Sequence, residues 1–345
     1  MSAIPTHGGR LIEAARRRGI PLDHWLDLST GINRQGWKVP PLPDYLWRQL
    51  PEEDDGLDTV IRGWAGAPGN AGCLPVPGSQ AAIQTLPLLR SPCRVGVPAP
   101  GFEEHARCWA LAGHQAVPIT LAQVDAGDDW LHELDVMVWI NPNNPTGMTV
   151  PRERLLDWHA ELVGRDGWLV VDEAFATSYQ GLSLVPMSSA PGLVVMQSLG
   201  KFFGLAGVRA GAVFAEPAIT GALAARLGPW SLSSPARYIM ARALKDTLWQ
   251  QRTAERLQTD SERLDRLLQG AGLPATRGTI LFRYLEHPKA PVMADFLAGR
   301  GILVRYFDNP PALRIGLPGD TFEWERLERT LQHLMNVVDQ HRSDC

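Results

Sequence analysis

The chain is short of cysteine: its 345 residues hold only four, Cys73, Cys93, Cys108 and Cys345. None forms a Cys-x-x-Cys pair and none lies in a cluster with metal-ligand spacing, so neither a disulfide framework nor a zinc site is expected, only scattered reduced thiols. Positive charge is not in excess either. The 33 Lys and Arg against 37 Asp and Glu leave a formal net charge of −4, so there is no electrostatic footprint for nucleic acid and no such partner is expected. No apolar stretch is long enough to span a bilayer, which argues against a membrane partner. Met1–His7 has no basic region leading into an apolar run, which predicts no export signal and a cytoplasmic protein. Internal repeats and low-complexity tracts are absent as well.

What the sequence does have is length and alternation. A chain of this size exceeds what one hydrophobic core usually serves, so two lobes are expected. Residues 1–50 read as an amino-terminal arm with part of a smaller domain, 51–235 as a large domain, and 236–345 as an interdomain helix followed by the rest of the smaller domain. Within the large domain short apolar runs alternate with amphipathic stretches, the pattern of βαβ units. The strand candidates there are Arg94 to Val97, Val117 to Thr120, Val136 to Ile140, Leu169 to Asp172, Leu193 to Gln197 and Ala210 to Phe214. A single long helix is predicted from about Pro235 to Gln269, and Leu281 to Tyr284, Ile302 to Arg305 and Leu313 to Ile315 read as strands of the smaller lobe.

The most informative segment is Ser198-Leu199-Gly200-Lys201-Phe202-Phe203-Gly204-Leu205-Ala206-Gly207-Val208-Arg209. It is not a nucleotide P-loop, because Val195 stands where that motif needs its first glycine and Phe202 where it needs Ser or Thr. A lysine beside glycine is, taken alone, a solvated loop residue. Here two further segments give it a chemical setting. Val138-Trp139-Ile140-Asn141-Pro142-Asn143-Asn144-Pro145-Thr146-Gly147 runs from an apolar strand into a loop of turn residues, and Trp168-Leu169-Val170-Val171-Asp172-Glu173-Ala174-Phe175 is an apolar run ending in carboxylates. Ligands of open α/β sheets sit just beyond the carboxyl ends of such strands.

Together the three segments supply what pyridoxal 5'-phosphate chemistry requires. Lys201 offers an amine that condenses with the cofactor aldehyde, and Ser198 and Arg209 offer a hydroxyl and a guanidinium for the phosphate dianion. Asp172 would keep the pyridine nitrogen protonated, and the Asn144 amide can hydrogen-bond the phenolate oxygen. Pro77-Gly78-Ser79-Gln80-Ala81-Ala82 joins a strand to a helix, where Ser79 serves equally as a helix cap or as part of an anion-binding turn.

These segments resemble the signatures of the fold-type I class I/II aminotransferases, over nearly the whole chain. His7-Gly8-Gly9-Arg10, Leu26-Asp27-Leu28-Ser29-Thr30-Gly31-Ile32-Asn33 and Leu50-Pro51-Glu52-Glu53-Asp54-Asp55-Gly56-Leu57 are similar, more narrowly, to the threonine-phosphate decarboxylases of cobalamin biosynthesis. The resemblance implies an α/β, fold-type I transferase fold, with a large domain built on a mixed, mostly parallel sheet and a smaller α/β domain. It implies that Gly78, Ser79 and Gln80 meet the cofactor phosphate, and that His105 stacks on the cofactor ring, or Phe102 if the register differs. Phe175 departs from the family pattern, since many members carry a tyrosine there that donates to the phenolate oxygen.

On the substrate side the resemblance assigns Arg314 to the substrate carboxylate and His7 and Asn33 to a substrate phosphate, while Arg305, closing a predicted strand, is a further anion ligand. The expected activity is decarboxylation of threonine phosphate by a homodimer. An aminotransferase such as one acting on histidinol phosphate would use the same cofactor residues, although the family's usual tyrosine before the proline is Leu50 here. A ligand-sensing module of a regulator is the remote alternative; it calls for a DNA-binding domain ahead of the module, for which the residues before His7 leave no room.

Overall fold

The computed structural model describes residues 8–179 and 181–340. In chain order they form helix α1 (Leu11–Arg18), strand β1 (Leu26–Asp27), α2 (Leu57–Ala65), β2 (Gly72–Val76), α3 (Ser79–Thr85), β3 (Arg94–Ala99), α4 (Glu104–Leu111), β4 (Gln115–Thr120), α5 (Leu121–Ala126), β5 (Val136–Ile140), α6 (Arg152–Val163), β6 (Trp168–Asp172), β7 (Leu193–Ser198) and β8 (Gly211–Ala215). There follow α7 (Pro217–Leu227), α8 (Ser234–Lys245), α9 (Thr247–Gly270), β9 (Arg277–Thr279), β10 (Phe282–Glu286), α10 (Ala290–Ala298), β11 (Ile302–Leu303), β12 (Arg305–Asp308), β13 (Pro311–Gly316) and α11 (Thr321–Gln340). The chain divides into two compact units. One takes residues 36–144 and 148–250, the other residues 1–35, 145–147 and 251–345.

The first unit is built on a seven-stranded sheet in the order β2-β8-β7-β6-β5-β3-β4. The strands from β7 to β4 run parallel, whereas β8 is antiparallel to β7 and β2 is antiparallel to β8. All five residues of β5 and of β8 are buried, as strands covered on both faces require. On one face Val95, Val97, Val136, Val138, Val170, Val194 and Met196 pack with Ile83 and Leu86, Cys108 and Trp109, and Ile219 and Leu223. Edge strand β2 tolerates Pro75 because only one of its sides is paired.

The second unit carries the antiparallel sheet β12-β13-β10-β9 and a parallel two-stranded ribbon of β1 with β11. The single strand expected from Ile302 to Arg305 is therefore divided at Val304. Its first half pairs with Leu26–Asp27 and its second half, beginning at Arg305, with β13. No helix among the described residues is long and apolar enough to cross a membrane.

The long helix expected from Pro235 to Gln269 is also two helices, α8 and α9, separated by Asp246. The Asp246 backbone leaves the helical region at φ −84°, ψ 69°. Its Oδ1 accepts the Trp249 N–H at 3.1 Å and so caps α9, while Oδ2 accepts from Trp37 Nε1 at 3.0 Å. Asp246→Ala removes both bonds and should cost about 1–3 kcal/mol. Differential scanning calorimetry checks this: the variant is expected to melt a few degrees below the parent, and an unchanged Tm would show that the break between the helices needs no cap.

Candidate active site

Asp172 closes β6 between Ile140 of β5 and Met196 of β7, and it is 4% exposed. A carboxylate so buried must find donors. Its Oδ1 accepts the Ala174 N–H at 3.0 Å, the local bond that Asp favours where a strand turns. Its Oδ2 lies 3.0 Å from Nε2 of His105, itself 2% exposed near the start of α4. An ionised carboxylate only accepts, so Nε2 is the donor. The edge of the His105 imidazole is thereby engaged by the Asp172 carboxylate. Phe102 stands edge-on to it, with centroids 6.1 Å apart.

Lys201 follows β7, and its Nζ lies 5.6 Å from the centre of the Phe175 ring, on the turn that begins at Asp172. The structure thus brings the lysine to the carboxylate's own loop. Ser198, the last residue of β7, pairs with Gly211 of β8, and Gly211 pairs in turn with Val76 of β2. These three strand ends bring Ser198, Arg209 and the Gly78–Ser79 turn into one neighbourhood. Arg209 takes left-handed backbone at φ 53°, and Gly78 has φ 76°. A Cβ on Gly78 would stand 2.8 Å from Arg209 Nη2, so the guanidinium packs against bare glycine backbone. Ser198 Oγ accepts the Gly200 N–H at 3.2 Å. Gln80 gives an N–H of its side-chain amide to Glu104 Oε2 at 3.0 Å.

The asparagine loop after β5 is tied down by its first members. Asn141 exchanges two hydrogen bonds with the Val150 backbone, at 3.0 and 2.9 Å, and Asn143 donates to the Pro100 carbonyl at 2.9 Å. Asn144 is half-buried at the end of this anchored loop.

In the other unit Arg305 and Arg314 are direct cross-strand partners on β12 and β13. Arg314 is 7% exposed and donates through Nη2 to the Ser29 carbonyl at 2.6 Å. Burial, and then the neighbouring Arg305 charge, push its guanidinium down to about 10, against a smaller pull from Asp27. Asn33 is buried, and its Oδ1 accepts the Gln35 N–H at 3.0 Å and Nη2 of Arg256 at 2.9 Å. Arg256 carries no motif, only a place in the charged helix α9, so nothing in the sequence singles it out. His7 lies outside the described residues.

Glu173 is the second residue that motif reading passes over. It is 2% exposed; Oε2 accepts from Ser183 Oγ at 2.6 Å and Gln197 Nε2 at 3.0 Å, and Oε1 accepts the Leu184 N–H at 2.7 Å. Burial pushes its carboxyl up to about 7; those three bonds hold the rise in check and the Asp172 charge adds to it. The folded value lies above the ordinary 4.5, so the stability that the neutral group contributes is complete below pH 4.5 and lost as pH rises through about 7. Glu173→Gln cannot ionise. Its Tm relative to the parent should therefore climb between about pH 5 and 7, and parallel melting curves across that window would show that the group does not titrate there.

The aminotransferase class I and II family matches residues 70–331. The threonine-phosphate decarboxylase of Pseudomonas aeruginosa is 47% identical over 94% of this chain and 96% of its own. That of a Sinorhizobium species is 38% identical over 97% of this chain and 99% of its own. Among solved structures, the histidinol-phosphate aminotransferase of Sinorhizobium meliloti, in complex with pyridoxal 5'-phosphate, superposes with a TM-score of 0.76 at 19% identity, over 97% of this chain and 96% of that one. The large, mostly parallel sheet with its reversed strand is accordingly the fold-type I architecture, as the motifs predicted. The chain belongs to the aminotransferase class I and II family and, within it, stands with the threonine-phosphate decarboxylases.

Proposed function

We propose that the protein is a pyridoxal 5'-phosphate-dependent decarboxylase that converts L-threonine O-3-phosphate to (R)-1-aminopropan-2-ol O-phosphate, the aminopropanol unit used in cobalamin biosynthesis. The observation that carries the reading is the 47% identity to the Pseudomonas aeruginosa decarboxylase over 94% of the chain. The geometry supplies the parts. The Gly78 cradle against Arg209, the buried Asp172–His105 pair and the nearby Lys201 fit a phosphorylated pyridine aldehyde. Ser198, Arg209 and backbone N–H groups of Gly78, Ser79 and Gln80 would hold its phosphate, Lys201 Nζ its aldehyde carbon, Asp172 its ring nitrogen and Asn144 its phenolic oxygen. His105, its edge on Asp172, or Phe102 beside it would stack on the ring.

When bound, the cofactor supplies an electron sink for the pair left at the α carbon as CO₂ departs. The protein's task is to hold charges and protons in place. Asp172, oriented by His105, keeps a proton on the facing nitrogen. Lys201 Nζ would hold the cofactor's aldehyde carbon and would deliver to the α carbon the one proton that replaces the carboxylate lost as CO₂. Phe175 lacks a hydroxyl, so Asn144 carries the phenolic contact.

Arg314 and Arg305 side by side form a cationic pair suited to a substrate with both a carboxylate and a phosphate, and Asn33 and His7 complete the proposed set. The reading includes a cytoplasmic homodimer, with residues 51–235 as the cofactor domain and the arm and carboxyl-terminal region as the smaller one. Transamination of histidinol phosphate is the competing activity, because the same cofactor residues serve either bond.

Purified protein given threonine phosphate should release CO₂ with no keto acid present, and Lys201→Ala should abolish release. Conversion of histidinol phosphate that depends on 2-oxoglutarate, without CO₂ from threonine phosphate, would overturn the substrate and leave the cofactor site standing. Arg314→Gln should raise KM for threonine phosphate about 30- to 100-fold. It also removes the buried member of a pair of adjacent like charges, so Tm should hold or rise. A large fall in Tm with KM unchanged would make Arg314 a structural ion.

A further inference from the structure

Asp172 and Met196 are register partners, and Met196 belongs to the core packed on one face of the sheet. Side chains alternate along a strand, so Asp172 and Ser198 share that face while Glu173 and Gln197 point to the other. The Glu173 N–H continues the ladder to the Met196 carbonyl at 2.8 Å. Directly behind the site, then, a buried carboxylate spans the ends of two adjacent strands. Resting on the cofactor reading above, we propose that Glu173 is the positioning residue of that site: from the back of the sheet it holds the Asp172–Phe175 turn and the Ser198 end of β7 at a fixed separation, and thereby sets the affinity for pyridoxal 5'-phosphate.

Three bonds carry the inference. Those from Ser183 Oγ and the Leu184 N–H gather the far end of the loop that begins at Asp172, so both ends of the segment bearing Phe175 close on one carboxylate. The third, from Gln197 Nε2, ties that closure to β7 one residue before Ser198. Gln197 Oε1 is buried with no hydrogen-bond partner among the described residues, so the amide's orientation depends on Glu173. Removing the carboxylate leaves the Leu184 N–H and the whole Gln197 amide buried without partners, and the two strand ends lose their tie. A glutamine at 173 behaves differently. It still accepts from Leu184, and if Gln197 turns its amide, the unpartnered Oε1 receives the new N–H.

Apoprotein is titrated with pyridoxal 5'-phosphate and Kd read from absorbance, with Tm measured on each variant. Glu173→Ala should raise Kd by at least about tenfold, Glu173→Gln should return it to within about threefold of the parent, and Gln197→Met, which cuts only the tie to β7, should raise it about fivefold with Tm nearly unchanged. Rescue by the conservative variant, with loss in Gln197→Met at constant Tm, is what a merely stabilising contact would not produce. If Glu173→Ala does not fold, Gln197→Met decides. Kd within twofold of the parent in Gln197→Met overturns the proposal, as does a Glu173→Gln variant no tighter than Glu173→Ala. A parent protein that binds no pyridoxal 5'-phosphate refutes the cofactor reading instead.

Discussion

A charge buried at the end of an apolar strand is the constraint around which the larger unit is arranged. Leu169, Val170 and Val171 are sealed on both faces of the sheet, and the next residue is a carboxylate. Such a group is tolerated only where donors are already in place. One is local, the Ala174 N–H; the other, His105, must be brought from α4, which Trp109 and Cys108 anchor in the core. The packing of that helix and the electrostatics of the candidate site are one requirement, since a shift of α4 would leave the Asp172 carboxylate with half its partners.

The smaller unit shows the opposite economy. Arg305 and Arg314 are neighbours of like charge, one of them buried, and burial together with the Arg305 charge pushes the Arg314 guanidinium down. Like charges directly opposite one another work against a strand pair, and here the cross-strand pairing of β12 with β13 holds them together. Asn33 is held differently: Gln35 and Arg256 both donate to its Oδ1, which fixes the direction of the amide.

Much of this was legible in the chain. The run from Trp168 to Asp172 announces a doubly covered strand with a charge at its end, and the glycines around Lys201 announce a loop that approaches something closely. What escaped reading depends on partners remote in sequence. His105 could be placed near the carboxyl ends of the strands, but only the fold shows its Nε2 on Asp172. Arg256 and Gln197 are ordinary polar residues until their partners are seen. Asp246 and Val304 are another case, since each interrupts a segment whose local periodicity continues on both sides, and the interruption is decided by a capping bond or by a change of sheet.

The reversal of β8 has a geometric consequence for the lysine. In a uniformly parallel sheet the chain leaving Ser198 would have to return to the opposite edge before beginning its next strand, and whatever followed would start far from the carboxyl ends. Because β8 runs back alongside β7, departure and return occur at the same rim, and Ser198 and Gly211 are register partners. The connection bearing Lys201 is therefore a closed loop whose two feet stand on adjoining strands, with Ser198 at one foot and Arg209 near the other. Its length behaves as a fixed dimension of the site: a residue inserted between the feet would move the amine relative to both, whereas the same insertion in a crossover elsewhere in the sheet would be absorbed at the surface.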